Sequence, residues 1–273
     1  MAPRQQPLPP DTTPPPTALV TQPVANVALA TRARETAGTG QGTENLDTAD
    51  LVLPRLALVQ RTSDEIDATT DKYIPGATFT QMFNSLTREL YGNGPIRILS
   101  LGLPRKRAIQ FDENKKVVDR DVPLAVDPNT LEYVDARMRF TKNAEGKDVK
   151  PQATLFYEFP VLIVSDGRRD LAVMSMKGTQ IKAAKDLISV INYRGGAASG
   201  KDVWDGAYTV TSVKKDFPKG PAAHFVVVPS GASTDAEAEI AKTLFAMLQT
   251  KNVRVDDDGL DGDEGQADEK VPF

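Results

Sequence analysis

The chain has 273 residues, a formal net charge of −4 and 40% hydrophobic residues, enough for one folded domain with a sizeable core. It contains no cysteine, which excludes disulfides, a thiolate metal site and a cysteine nucleophile. The N-terminus lacks the apolar core of a signal peptide, and no stretch approaches the roughly 18 consecutive apolar residues of a membrane span. We therefore expect a soluble protein of the cytoplasm.

Both ends of the chain have compositions typical of disorder. Residues 1–50 contain eight prolines and no aromatic residue, which predicts an extended, Pro-rich arm. Residues 256–273 contain eight carboxylates and a single basic residue, Lys270, so that like-charge repulsion opposes folding. The sequence thus predicts one folded body at 51–255, with a disordered arm before it and a disordered acidic tail after it.

Charge divides in the same way between the body and the tail. The body carries 29 basic and 24 acidic residues, whereas the tail carries one basic and eight acidic residues. An acidic tail that competes with nucleic acid for a basic groove on its own body would give this division.

The first half of the body predicts several strands. Its opening segment, 51–59, suits an edge strand, and further strands are expected at 77–83, 86–91 and 96–101. Residues 103–150 interleave basic residues with aromatics and turn residues, which predicts hairpins and loops projecting from the sheet.

The second half predicts more strands and two helices. Strands are expected at 154–164, with a possible bulge at Pro160, and at 171–176, 207–213 and 224–229. A helix from Thr179 to about Tyr193 carries apolar residues at helical spacing and stops at Gly195. The last helix begins at Thr234, which forms a capping box with Glu237.

This order predicts a mainly β protein of the α+β class. A helix inserted between late strands, together with a C-terminal helix, suits an OB-like β-barrel, which binds single strands across one face. A plain α+β sandwich is the alternative.

The sequence does not support catalysis. The single histidine, His224, starts an apolar strand, and no nucleotide-binding loop, metalloprotease motif or serine-nucleophile motif is present. A nuclease site built from Glu158, Asp170 and Lys177 is conceivable, but these residues lack a metal-site spacing. We expect no enzyme activity, no metal and no cofactor.

Binding of single-stranded nucleic acid is better supported, because it needs a positive groove with aromatic platforms on which bases stack. Basic residues and aromatics on projecting elements, together with Trp204 after a Gly-rich loop, are the candidates. The predicted contacts are Arg105, Lys106, Arg107, Tyr133, Arg137, Arg139, Phe140, Lys142, Trp204, Lys214, Lys215, Phe217 and Lys219. Core packing is the alternative for each aromatic residue.

The tail ends on the apolar tip Val271-Pro272-Phe273, which suits docking because Phe273 can fill a pocket while carboxylates meet a basic rim. This ending resembles that of bacterial single-stranded-DNA-binding proteins, and also the acidic, aromatic-ended tails of such proteins from short-tailed phages. The resemblance implies a tail that binds replication proteins. The tail residues concerned are Asp256, Asp257, Asp258, Asp261, Asp263, Glu264, Asp268, Glu269, Pro272 and Phe273.

The body resembles phage-encoded proteins that sit among replication genes, through residues 53–60 (LPRLALVQ) and 174–179 (MSMKGT). The resemblance implies a protein that coats single-stranded DNA in an infected bacterium and whose tail recruits a polymerase, primase or helicase. A phage strand-annealing recombination protein and a virion or scaffold assembly protein are the alternatives. The sequence does not decide the oligomeric state: a monomer or a dimer is expected as much as the tetramer that is typical of the bacterial proteins.

Overall fold

The computed structural model describes six stretches of the chain. They are 52–112, 116–165, 167–196, 198–218, 220–250 and 254–256. The chain divides into two units, 1–46 and 47–273, and the first lies wholly outside the described residues. The predicted arm and every tail position after Asp256 also lie outside them.

The described residues form fourteen strands and two α-helices. The strands are β1 (Val52–Leu53), β2 (Arg55–Leu58), β3 (Met82–Asn84), β4 (Leu90–Gly92), β5 (Ile96–Ser100), β6 (Arg105–Phe111), β7 (Val117–Asp119), β8 (Thr141–Lys142), β9 (Asp148–Val149), β10 (Ala153–Ile163), β11 (Asp170–Lys177), β12 (Gly206–Phe217), β13 (Gly220–Ala232) and β14 (Arg254–Val255). The helices are α1 (Ile181–Gly195) and α2 (Asp235–Thr250).

Ten strands join in one mixed sheet, which confirms a mainly β protein with two helices. The main path runs β13-β12-β5-β10-β11-β2-β3-β4, while β6 pairs with β10 and β7 pairs with β6. Within the described residues no strand pairing joins β13 to β4. The OB-like barrel therefore stays a prediction.

Strand β10 is the centre of this sheet. It pairs with β11 along one side, and along the other side with β6 and then with β5. The bulge expected at Pro160 is absent, because the pairing with β11 is unbroken from Phe156 to Ile163. Pro160 lies where the other side of β10 passes from β6 to β5, so its missing N–H interrupts no ladder bond.

Alternate residues of β10 face two different cores. Tyr157 and Phe159 lie in the core beneath α1, whose buried residues include Leu187 and Ile191 on the predicted apolar face. Leu162 points to the other side, into the core beneath α2. The two helices therefore cover opposite faces of the sheet.

Both helices were predicted closely. Helix α2 has the predicted capping box, since Glu237 N donates to Thr234 Oγ1 at 3.3 Å and Thr234 N donates to Glu237 Oε2 at 2.8 Å. Helix α1 ends at Gly195 as expected but begins two residues late, at Ile181. Thr179 lies in a preceding 3-10 turn, where its hydroxyl bonds to His224 instead of capping the helix.

The strands predicted at 77–83 and 86–91 are much shorter than expected. Thr80 has a φ of 79°, so the chain turns before β3 begins at Met82. After β3, the side-chain oxygen of Asn84 accepts bonds from the N–H groups of Leu86 and Thr87. This local turn delays β4 until Leu90.

Glutamine side chains cap part of the outer edge of β13. The amide of Gln60 donates to Ala223 O at 3.2 Å and accepts from Ala223 N at 2.9 Å. Gln180 accepts from Phe225 N at 3.2 Å. These amides satisfy backbone groups that would otherwise offer an open strand edge to another chain. No helix within the described residues is long and apolar enough to cross a membrane.

Candidate nucleic-acid interface

The predicted basic triplet Arg105-Lys106-Arg107 lies on strand β6, where alternation divides it between two faces. Arg107 is only 7% exposed, and its Nη1 lies 3.7 Å from Glu158 Oε1. It is therefore a buried structural cation in this conformation rather than a surface contact. Arg105 is exposed and pairs with the exposed Asp121 at 3.2 Å, a pairing weak enough for a phosphate to replace.

Lys106 points to the opposite face of β6 and is exposed. Its Nζ lies 5.5 Å from the ring centre of Tyr157, a residue of the core beneath α1. Tyr133 is half-buried at the same end of the sheet, and burial raises the pKa of Tyr133 above its usual value. Lys106 and Tyr133 are thus two predicted contacts that the structure brings to one region.

A 3-10 turn, Ala136–Met138, fixes the segment that follows Tyr133. Met138 is buried against Ala108 of β6 and Ala153 of β10. The turn therefore anchors the next residues, from Arg139 onwards, beside the β6–β10 pair.

Arg137, in this turn, is held by neighbouring acceptors. It pairs with Asp135 at 2.7 Å and with Asp119 at 2.8 Å, and it also donates to Gln110 at 3.0 Å. The hydrogen bonds from Arg137 lower the pKa of Asp135 to about 2. A phosphate would have to displace two carboxylates, so Arg137 is better placed to hold this turn together than to contact nucleic acid.

Arg139 and Phe140 lie at the base of an exposed ribbon formed by β8 and β9. The guanidinium of Arg139 donates to the backbone oxygens of Tyr133 and Val134. Phe140 is 45% exposed, a large fraction for a phenylalanine. Lys142 is exposed on β8, so three predicted contacts follow one another on the surface. We name residues 139–150 the basic ribbon.

Sequence reasoning missed two basic residues of this ribbon. Lys147 and Lys150 lie directly before and after β9, the strand that pairs with β8. The turn residues Asn143 to Gly146 were the available signal, because a tight turn there folds these lysines back toward Lys142.

The second predicted group lies at the tip of the β12–β13 hairpin. Lys214 and Lys215 are exposed, and Lys214 pairs with Asp216 at 3.1 Å. The ring of Phe217 stacks on His224 at 5.2 Å. Strands β12 and β13 belong to the ten-stranded sheet, whereas β8 and β9 of the basic ribbon form a separate two-stranded sheet, so the two predicted groups lie on different elements. Lys219 lies outside the described residues.

Trp204 belongs to the core rather than to a binding surface. It is buried, and its ring centre lies 5.0 Å from that of Phe245 on α2. The Gly-rich loop before it left both roles open, and Phe245 of α2 supplies the aromatic partner of the buried indole.

Asp256, the first residue assigned to the tail, is attached to the body. Its N–H donates to Leu53 O at 2.9 Å, and its carboxylate accepts from Ser85 Oγ at 2.6 Å. Its carbonyl oxygen accepts from Arg55 Nε. The remaining predicted tail contacts lie outside the described residues: Asp257, Asp258, Asp261, Asp263, Glu264, Asp268, Glu269, Pro272 and Phe273.

A family model described as Pam3 phage gp34-like protein matches residues 24–254, well over half of the chain. The chain belongs to this phage family. The predicted association with a bacteriophage is therefore confirmed. No curated protein and no solved structure matches the chain.

The range that matches the family model contains all the predicted body contacts but stops before Asp256. The ribbon and the hairpin tip therefore lie within the family's shared region. The acidic tail lies outside it, so predictions about the tail depend on its own sequence.

The three conceivable nuclease residues do not form one group. Glu158 pairs with Arg55 at 3.0 Å and shares a face of the sheet with Lys177. Asp170 lies at the other end of β11 and accepts a hydrogen bond from Tyr91 at 3.3 Å. Among the described residues, no group of three or more histidines and carboxylates could hold a metal ion.

Proposed function

We propose that this protein binds and protects single-stranded DNA during phage DNA replication or recombination in the infected bacterial cell. The observation that carries the proposal is the exposed Arg139-Phe140 pair at the base of the basic ribbon. Exposed rings next to cations suit single strands, whose bases are free to stack on an aromatic side chain while phosphates meet the cations.

The charge of the ribbon supports this proposal. Residues 139–150 hold four basic residues against Glu145 and Asp148, and all twelve are exposed. Phosphate contacts of this kind give affinity without sequence preference and weaken with salt. Lys106 and Tyr133 would extend the contact surface from the ribbon onto the β6–β10 pair.

The proposed path of the strand follows an OB-like arrangement. In such folds a single strand crosses one face of the sheet, and loops at the rim enclose it. Here the strand would pass the start of β6, where Arg105 and Lys106 are both exposed, with the ribbon at one rim. The place of helix α1 in the chain, after β11 and before β12, supports this arrangement.

The proposed tail has two roles. Its carboxylates would compete with DNA for the cationic side chains of the body, and its Phe273 tip would bind a replication protein such as a polymerase, primase or helicase. DNA that occupies the body would displace the tail and leave the tip available to a partner.

Replacing Phe140 with alanine is expected to weaken oligo-dT binding about tenfold, because one stacked base contributes on the order of 1–3 kcal/mol. Fluorescence anisotropy with a labelled oligonucleotide measures the effect. Tyr193→Ala is the matched control, since Tyr193 is a 78% exposed aromatic residue on α1, outside the proposed surface. Equal affinities for Phe140→Ala and the parent chain would contradict the assigned role of the ribbon.

A further inference from the structure

The chain's C-terminal segment returns to its opening strand. Strand β14 pairs with β1 in parallel, with Val52 opposite Arg254 and Leu53 opposite Val255. The ladder is continued by the N–H of Asp256, which donates to Leu53 O at 2.9 Å. A segment of only three residues is thus held by backbone bonds to β1.

The side chains that receive Asp256 are buried and fixed in orientation. Arg55 is 2% exposed, and Ser85 is also buried. The Ser85 oxygen accepts from Arg55 N at 2.8 Å, which leaves its O–H to donate to the Asp256 carboxylate at 2.6 Å. The hydroxyl proton is therefore available to a carboxylate, and a hydrogen bond to an ionised acceptor is a strong one.

The charges around this site favour an acidic residue. Arg55 and Arg107 both lie against one carboxylate, that of Glu158, at 3.0 Å and 3.7 Å. Arg55 also donates to the backbone oxygen of Asp256, which brings the carboxylate of that residue near a cation.

We propose that Leu53, Arg55 and Ser85 form a binding site for an acidic peptide in extended conformation, occupied here by residues 254–256 of the same chain. The backbone of β1 takes the peptide as an added strand, Arg55 binds a backbone oxygen of the peptide, and Ser85 donates to its carboxylate. In this chain the site anchors the root of the acidic tail.

On the proposed function, anchoring the tail also affects DNA binding. Three charged side chains project from one face of the sheet: Arg105, Glu158 and Lys177. Glu158 lies opposite Arg105 in the pairing of β10 with β6. Lys177 lies opposite Phe156, which is two residues from Glu158 on β10 and therefore on the same face. A tail tethered beside this face competes with DNA at a high effective concentration. Loosening the anchor would weaken that competition.

The test compares two full-length variants, Asp256→Ala and Asp258→Ala. Each removes one carboxylate from the acidic segment, but only the first removes the contact with Ser85. Hydrogen–deuterium exchange is expected to become about tenfold faster at residues 52–56 and 254–256 in Asp256→Ala and to stay unchanged in Asp258→Ala. Asp256→Ala is also expected to bind oligo-dT more tightly than Asp258→Ala does.

The outcomes separate the anchor from the DNA-binding proposal. Unchanged exchange in Asp256→Ala would overturn the anchor, whatever its DNA affinity. Faster exchange with equal oligo-dT affinities would support the site and overturn its effect on DNA competition. Faster exchange without oligo-dT binding by any chain, the parent included, would support the site while the proposed function fails.

Discussion

Replacing Glu158 with glutamine is expected to lower the free energy of unfolding by about 3–5 kcal/mol. The substitution keeps the shape of the side chain but leaves two buried guanidinium groups, those of Arg55 and Arg107, without their shared carboxylate. Chemical denaturation, monitored by circular dichroism, measures the change. The denaturant concentration at the unfolding midpoint should fall, while the slope of the free energy of unfolding against denaturant concentration should stay unchanged.

Asp216→Asn provides the matched control for Glu158→Gln. Asp216 also pairs with a cation, Lys214, but both side chains of this pair are exposed. Its loss should change the free energy of unfolding by at most about 1 kcal/mol. Similar values for the two variants would show that the pairing of Glu158 does not stabilise the core.

Replacing Gly94 with alanine is expected to lower the free energy of unfolding by about 3 kcal/mol. Gly94 has a φ of 89°, a conformation that costs an alanine roughly 1–2 kcal/mol. A Cβ at this position would also lie 2.6 Å from the backbone oxygen of Val210, an atom of the sheet that has little freedom to move. Such overpacking adds roughly 1–3 kcal/mol. Thermal and chemical unfolding both measure the loss.

Gly76→Ala isolates the backbone contribution from the steric one. Gly76 has a similar φ, 81°, but no atom lies within 4 Å of the position its Cβ would take. Its substitution should therefore cost only the conformational part, roughly 1–2 kcal/mol. A loss for Gly94→Ala that equals the loss for Gly76→Ala would mean that the sheet accommodates the added methyl group.

Elements with strong local signals could be predicted from the sequence. The apolar runs of β10 and β11 predict strands, and the helical spacing of apolar residues in α1 predicts a helix. These signals are reliable because burial of one face imposes a fixed spacing on the apolar residues. The capping box of α2 is equally local, since Thr234 and Glu237 are three residues apart. Boundaries were less predictable where one side chain redirects the backbone, as Asn84 does before β4.

The candidate surface was only partly predictable, because exposure depends on which element packs on each strand. Side chains alternate between the two faces of a strand, so the sequence could have shown that Arg105 and Arg107 share one face and that Lys106 lies on the other. Nothing local indicates that Glu158, more than fifty residues away, neutralises Arg107 beneath the surface. The contact between Arg55 and Asp256 spans 201 positions, which is why the acidic composition of the tail concealed its attached first residue.

The most direct test of the central claim is the binding of a labelled oligo-dT to the full chain, with a duplex of equal length as the control. A second chain that ends at Asp256 keeps the anchor residue and removes the other seven tail carboxylates. Circular dichroism of both chains verifies that the shorter one folds.

We expect single-strand binding with a Kd in the micromolar range or tighter that weakens with salt and exceeds duplex binding. The chain ending at Asp256 should bind more tightly than the full chain. Absence of oligo-dT binding by both folded chains at low salt would contradict the proposed function.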